Sequence, residues 1–196
     1  MWSRAAERGY GNRFAMNLHA LGTWVVLLGC ALSTFAEPLK LVERRVNIPE
    51  LGPVTGYLLS SGTNHFSFLP PPLWRTSHRP GANSVAIMSA NGTTSIAIEF
   101  LSPKADEPQD KSTLIKTRFP DAAIDDSFDC NTGLGASTAH DLRRKASGDL
   151  RLTSRVIYVF TPAAVIEFTL TGPTANFADH TTAFAAVVNS FRAAGH

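Results

Sequence analysis

Cysteine is almost missing from this chain. Its 196 residues hold two, Cys30 and Cys130, and only Cys130 lies beyond the amino-terminal stretch, so a disulfide inside the domain is excluded. Cys130 then reads as a buried or idle thiol. An excess of either charge is also lacking. The first 36 residues carry Arg4, Arg8, Arg13 and Glu7, so of the 18 basic and 16 acidic residues in the chain, fifteen of each sign remain beyond Ala36. That balance gives no footprint for nucleic acid or for an anionic membrane face. Internal repeats and long linkers are missing too.

Chemical signatures are equally scarce. Gly133-Leu134-Gly135 lacks the third glycine and the strand-before, helix-after setting of a dinucleotide loop, and no P-loop occurs. Gly135-Ala136-Ser137 supplies half of a nucleophile elbow and no more. Beyond Ala36 the histidines, at 65, 78, 140, 180 and 196, show no metal-ligand spacing. Asp125, Asp126, Asp129 and Asn131 form an oxygen-rich cluster of the kind that attracts calcium. Counted from Asp125, however, Cys130 stands at the glycine position of an EF-hand and Ala136 at its bidentate acid, so the cluster reads as a solvated acidic loop. No cofactor or metal is called for.

The amino terminus has the three-part layout of an export signal: basic residues, an apolar run from Leu21 to Leu32, then Ser33-Thr34-Phe35-Ala36. Cleavage is expected after Ala36, leaving 37–196 as a single globular domain. Two alternatives stay open. Leu27-Leu28-Gly29-Cys30 resembles a lipoprotein box ending before Cys30, and Leu18 to Ala36 is just long enough for an uncleaved anchor. Met16 is an alternative start. The expected location is exported, periplasmic or secreted, with membrane attachment only through an anchor or a lipid on Cys30.

The best-patterned stretch runs from Leu150 to Phe191. Leu150, Leu152, Val156, Tyr158 and Phe160 share one face of a long strand. After Thr161-Pro162-Ala163-Ala164, a second strand alternates Ile166, Phe168 and Leu170 with Glu167, Thr169 and Thr171. Keeping every large apolar group on one side pairs Phe160 with Ile166, Tyr158 with Phe168 and Val156 with Leu170, and leaves Glu167 outside. A closing helix from about Pro173 follows, capped by Thr174 or Asn176, with Phe177, Phe184, Val188 and Phe191 on one stripe and Arg192 near its end.

Upstream, Val54–Leu59 and Phe66-Ser67-Phe68 read as strands joined by Ser60-Ser61-Gly62-Thr63-Asn64. Asn91-Gly92 predicts a two-residue type I′ hairpin pairing Ile87 with Ile96 and Val85 with Ile98. Asp106 to Arg118 predicts a helix capped by Asp106 or Asp110 and ended by Pro120. A short strand is expected around Ile124 and Phe128, and another over Leu134–Lys145. An even offset sets Leu142 opposite Leu152, Ala136 opposite Tyr158 and His140 opposite Ser154, with Arg143, Arg151, Arg155 and Asp141 as an exposed ion-pair cluster on the other face. On the back of the long strand, Arg151, Thr153 and Arg155 give way to Ile157 and Val159. One end of that face is wet and the other covered, which calls for a helix on each side of the sheet.

Two sets of residues are candidates for function. Pro70-Pro71-Pro72 followed by Leu73-Trp74 ends a strand, because proline cannot donate to a ladder. Trp74, Pro71 and Pro72 either form a stiff connector whose indole packs over the core edge or a pre-organised docking surface. His140, with Ser154 and Thr138 on an otherwise apolar face, is either a base beside a nucleophile, needing an acid to orient it, or a structural polar pair.

The order of pieces resembles the PsbP-like family and the related DcrB-type envelope proteins. The resemblance covers about residues 64 to 192: Phe66-Ser67-Phe68-Leu69-Pro70 with Trp74, the Ile96–Phe100 strand, the Leu114–Phe119 helix, Gly133 to Leu142, the hairpin, and a helix ending Asn189-Ser190-Phe191-Arg192. It implies an α+β fold, an antiparallel β-sheet with helices on both faces in an α/β/α sandwich. It also implies an accessory or assembly role rather than catalysis, with another envelope protein as partner. The alternative is a small exported hydrolase or ligand-binding protein using the face around His140 and Ser154.

Overall fold

In a computed structural model the described residues are 38–50, 52–101, 110–145, 150–162 and 164–194. The proposed signal, Cys30, Ala36 and the capping candidate Asp106 lie outside them. Eleven strands, β1 (Lys40–Ile48), β2 (Gly52–Ser61), β3 (Asn64–Phe68), β4 (Arg75–His78), β5 (Ser84–Met88), β6 (Ser95–Leu101), β7 (Ala123–Thr132), β8 (Gly135–Lys145), β9 (Arg151–Phe160), β10 (Val165–Pro173) and β11 (Arg192–Ala193), form two sheets. The large one runs β4-β5-β6-β10-β9-β8-β7 and the small one β1-β2-β3-β11, every neighbour antiparallel. Helix α1 (Lys111–Arg118) lies between β6 and β7 in the chain, and a 3₁₀ turn (Thr174–His180) leads into α2 (Thr181–Ser190). The fold is α+β.

A helix does lie on each side of the large sheet. Tyr158, Val156, Val165 and Leu142 pack with Ile115 of α1 on one face. Ile157, Val159, Ile166, Phe168 and Leu170 pack on the other with Phe184, Val187 and Val188 of α2, joined there by Leu59, Phe66 and Phe68 of the small sheet. That second sheet is an addition to the expected single-sheet sandwich. Phe191, fully buried, stacks at 5.1 Å on Phe66 and meets Phe168 edge-on at 5.0 Å, riveting the small sheet to the large one.

The 150–171 hairpin forms in a register one residue away from the expected one. Phe160 pairs with Val165, Tyr158 with Glu167 and Ile157 with Phe168. The reversal is closed by Thr161 and Ala164, whose backbone bond is reinforced by the Thr161 hydroxyl, and this closure fixes the register. The slip turns Glu167 inward, at 3% exposure. Burying a carboxylate is costly unless it is paired. Arg118 of α1 pairs with it, donating from Nε at 2.9 Å and from Nη2 at 3.2 Å, and Thr169 adds a hydroxyl at 3.0 Å. Both faces of β9 and β10 are therefore largely buried, as in a strand covered twice.

Strand β8 also shifts, by two residues. Leu142 lies opposite Ser154 and His140 opposite Val156. Of the expected arginine cluster, Arg155 alone meets Asp141, in a two-point pair at 2.7 and 2.8 Å. It lies 4.6 Å over the Phe128 ring and 5.8 Å from that of Phe177. The pair is mostly buried and holds the 3₁₀ turn to the sheet. Arg143 instead reaches Asp125 at 2.7 Å.

The Ile87–Ile96 and Val85–Ile98 pairs form as expected, but not around a type I′ turn. Gly92 alone of the Asn91-Gly92 pair has positive φ. Ser89 closes the reversal with Thr94, and Asn91 Oδ1 accepts from Ser89 and Thr93 inside a four-residue loop. That loop conserves the register because it is centred on the same two residues. Asp110 caps α1, accepting from the Thr113 amide at 2.9 Å. Neither Thr174 nor Asn176 makes a side-chain cap, and Arg192 has left the helix to pair with Ser67 in the small sheet.

Candidate functional site

Strand β3 ends at Phe68, two residues before Pro70, and Pro71 to Trp74 make one turn, closed by the Trp74 amide on the Pro71 carbonyl at 3.2 Å. Pro72 takes the position whose φ proline pre-sets. Leu73 follows at φ 67°, where a type II turn favours glycine. No other non-glycine described residue has positive φ. A left-handed residue with a Cβ costs about 1–2 kcal/mol, and burial returns nothing here, since Leu73 is 87% exposed. Trp74 sits beside it, half-buried against the main core, its ring 5.6 Å from His180 at 78°. The indole does pack over the core edge.

Behind this turn lies a groove of about 910 Å³ between the turn, the small sheet and α2, lined by Trp74, Pro70 to Leu73, Tyr57, Val54 and Ala186. A second hollow of about 490 Å³ shares Ile48, Tyr57, Leu69 and Ser190 with it and ends at Arg44 and Arg192. The walls are tied together. Ser190 Oγ accepts from the Leu69 amide at 3.0 Å and donates to Val187 at 2.9 Å, fixing the end of α2 against the start of the turn. A groove with apolar walls and few polar atoms suits apolar side chains from a partner.

His140 and Ser154 are not brought together. Ser154 is wholly buried and exchanges a hydroxyl bond with Thr171 at 2.9 Å. His140 Nδ1 instead meets Ser127 Oγ at 2.8 Å, while its Nε2 is buried without a partner among the described residues. Burial, then the nearby Lys111 ammonium, pushes the imidazole pKa down. Among the described residues no carboxylate is bonded to that ring, so none of them is the orienting acid a base would need. Lys111 itself donates to Thr138 at 3.1 Å across a hollow of about 430 Å³ that Cys130 and Asp129 also line. Burial pushes the Cys130 thiol up, away from thiolate. Among the described residues no group of three His, Cys, Asp or Glu could hold a metal, and Asp125 is spent on Arg143. No described helix is long and apolar enough to cross a membrane.

Sequence reasoning marked Pro71, Pro72 and Trp74 but passed over Leu73. The signal was there: Pro72 in the second position of a turn makes residue 73 its third, where a leucine is out of place.

No protein-family model and no curated protein matches the chain. Among solved structures it is similar to LpqN, involved in cell envelope biogenesis of Mycobacterium tuberculosis, at 11% identity and TM-score 0.50 over 80% of this chain and 92% of that one. It is also similar to cyanobacterial PsbP from Synechocystis, at 13% identity and TM-score 0.48 over 85% of this chain and 99% of that one. A third is the Ran-binding protein Mog1p of Saccharomyces cerevisiae, at 9% identity and TM-score 0.46 over 78% and 96%. At 11% identity the likeness to LpqN is one of fold.

Proposed function

We propose that this chain is an exported, non-enzymatic accessory domain of PsbP-like kind that binds another envelope protein through the Leu73 turn and the groove behind it. The observation that carries the reading is Leu73: a large apolar side chain held in a strained conformation and pointed into solvent contributes nothing to the fold. Strain kept at an exposed position favours recognition as its purpose. A projecting leucine beside an apolar groove also fits a protein surface better than a small molecule, which fills a cavity and leaves a knob unused. The basic-then-apolar amino terminus supports export, and the shared fold with LpqN is in keeping with an envelope role.

The test is site-specific photo-crosslinking from position 73 in cells of the source organism, with Phe160, another exposed apolar position, as the control. The reading expects one envelope protein joined through position 73, and that product lost when Ala186→Trp fills the groove. Cross-linking no different from the Phe160 control would overturn it.

A further inference from the structure

A second surface has nothing to do with that groove. Arg143 and Arg144 lie just before the end of β8, Arg151 begins β9, and the strand pairing sets Arg143 opposite Thr153 and Arg144 opposite Leu152. All three arginines line one cavity of about 540 Å³ together with Asp121, Ala123, Leu152 and Thr174. No lining residue is shared with the groove. Beyond Ala36 the charges balance overall, so three arginine residues on one hollow are a local concentration of positive charge.

The three are not equivalent. Arg143 is already held by Asp125 at 2.7 Å. Arg144 lies with its guanidinium carbon 5.4 Å from the centre of the Phe119 ring, which braces it, and its Nε–H is buried without a partner among the described residues. Arg151 is exposed and has no acidic partner there. Among the described residues Asp121 is the single carboxylate on the wall, and it forms no ion pair with any of the three arginines. A buried donor left unbonded costs about 1–3 kcal/mol, more for a charged group, so the site is short of an acceptor.

We propose that Arg143, Arg144 and Arg151 form a binding site for a phosphate-class oxyanion, a phosphate or phosphomonoester or phosphodiester group. Guanidinium groups present paired donors that match tetrahedral oxyanions, and several of them favour a phosphate over a lone carboxylate, which one arginine already satisfies. Leu152 and Ala123 give the cavity an apolar wall, so the anion enters with carbon attached. Free phosphoesters and lipid headgroups share this chemistry.

The purified full chain is titrated with inorganic phosphate and glycerol 3-phosphate while the Arg Nε–H resonances are followed, against chloride at equal ionic strength. In parallel it is sedimented with phosphatidylglycerol or phosphatidylcholine vesicles. The site predicts a saturable shift at Arg144 with phosphate or glycerol 3-phosphate and none with chloride. Binding falls at least tenfold in Arg144→Gln and in Arg151→Gln, and is unchanged in Arg79→Gln, an exposed arginine outside both surfaces. The Arg151 variant alters an exposed, unpaired side chain, so it keeps the fold if Arg144→Gln loosens α1. Sedimentation with phosphatidylglycerol vesicles alone, abolished by Arg151→Gln, assigns the anion to a lipid headgroup; binding of the soluble ester alone assigns it to a free phosphoester. No saturable shift and no vesicle binding, or equal binding by wild type and Arg151→Gln, overturns the proposal.

Discussion

Glu167, in the middle of the large sheet, is held by Arg118 at the last turn of α1 through two hydrogen bonds of 2.9 and 3.2 Å. The same arginine bonds Glu99, which stands directly across the strand pair from Glu167, while Tyr158 stands on its other side. One guanidinium thus bridges two carboxylates that would otherwise repel each other, and pins α1 to two neighbouring strands, β6 and β10.

Arg118→Ala is expected to destabilise the domain by about 2–3 kcal/mol. That lies below the 3–5 kcal/mol of a wholly buried pair, because Arg118 is one-third exposed. Urea denaturation measures it. Arg118→Met with Glu167→Met should recover most of the loss, since apolar replacement of both partners removes the unpaired charge. A double variant as unstable as the single one would mean that the pair is not the source of the loss.

Tyr158 sets an alkaline limit. Burial, then the adjacent Glu167 carboxylate, pushes its phenol well above the ordinary value of about 10. A group whose pKa is raised by folding contributes its full stability below the unfolded value and loses it as pH climbs through and past that value. Stability should therefore fall from about pH 10 upward, and Tyr158→Phe should flatten that fall. Absorbance near 295 nm should show Tyr158 ionising only as the protein unfolds.

Gly133 is required by contact, not by turn geometry. Its amide donates to the Val188 carbonyl at 3.0 Å, and a Cβ there would lie 2.1 Å from the Phe191 carbonyl oxygen and 2.9 Å from that of Asn189. Backbone cannot yield as a side-chain tip does. Gly133→Ala should cost at least about 2 kcal/mol, whereas Gly62→Ala, at a strained φ with open space around it, should cost about 1 kcal/mol. Thermal melts of the two variants side by side check the order.

Much of this was legible in the sequence because period and turn residues act locally. The Ile87–Ile96 register, Asp110 as one of two cap candidates, and Phe184 with Val188 on the buried side of α2 follow from spacing, whereas Phe177 lies in the 3₁₀ turn and Phe191 beyond the helix. Glu167 was misplaced because the rule that buries apolar residues and exposes charged ones has no term for Arg118, 49 positions away, which makes the opposite register affordable. His140 and Ser154 were parted for a related reason: an even offset keeps faces together but leaves slips of two undecided, and only the contacts of both faces choose between them. The small sheet was half seen. In β1 the run Lys40-Leu41-Val42-Glu43-Arg44-Arg45-Val46 is mostly exposed on both faces and so carries no clean alternation, and β11 is too short to leave a pattern. Trp74 stood out by its type, while Leu73 is notable only for its backbone, which composition does not display.

The most direct test of the account is Leu73→Gly, read for stability and for partner capture in the same preparation. Glycine relieves the positive φ, so the melting temperature should rise by about 2–4 °C for a gain near 1 kcal/mol. Position 73 then no longer supports cross-linking, so capture is read through a photo-reactive group at position 72 on the same turn, where the envelope protein joined to the wild type should be lost. A variant that gains stability and loses its partner is what a recognition residue held at the expense of the fold predicts. A variant that gains stability and still captures the same partner would contradict the account.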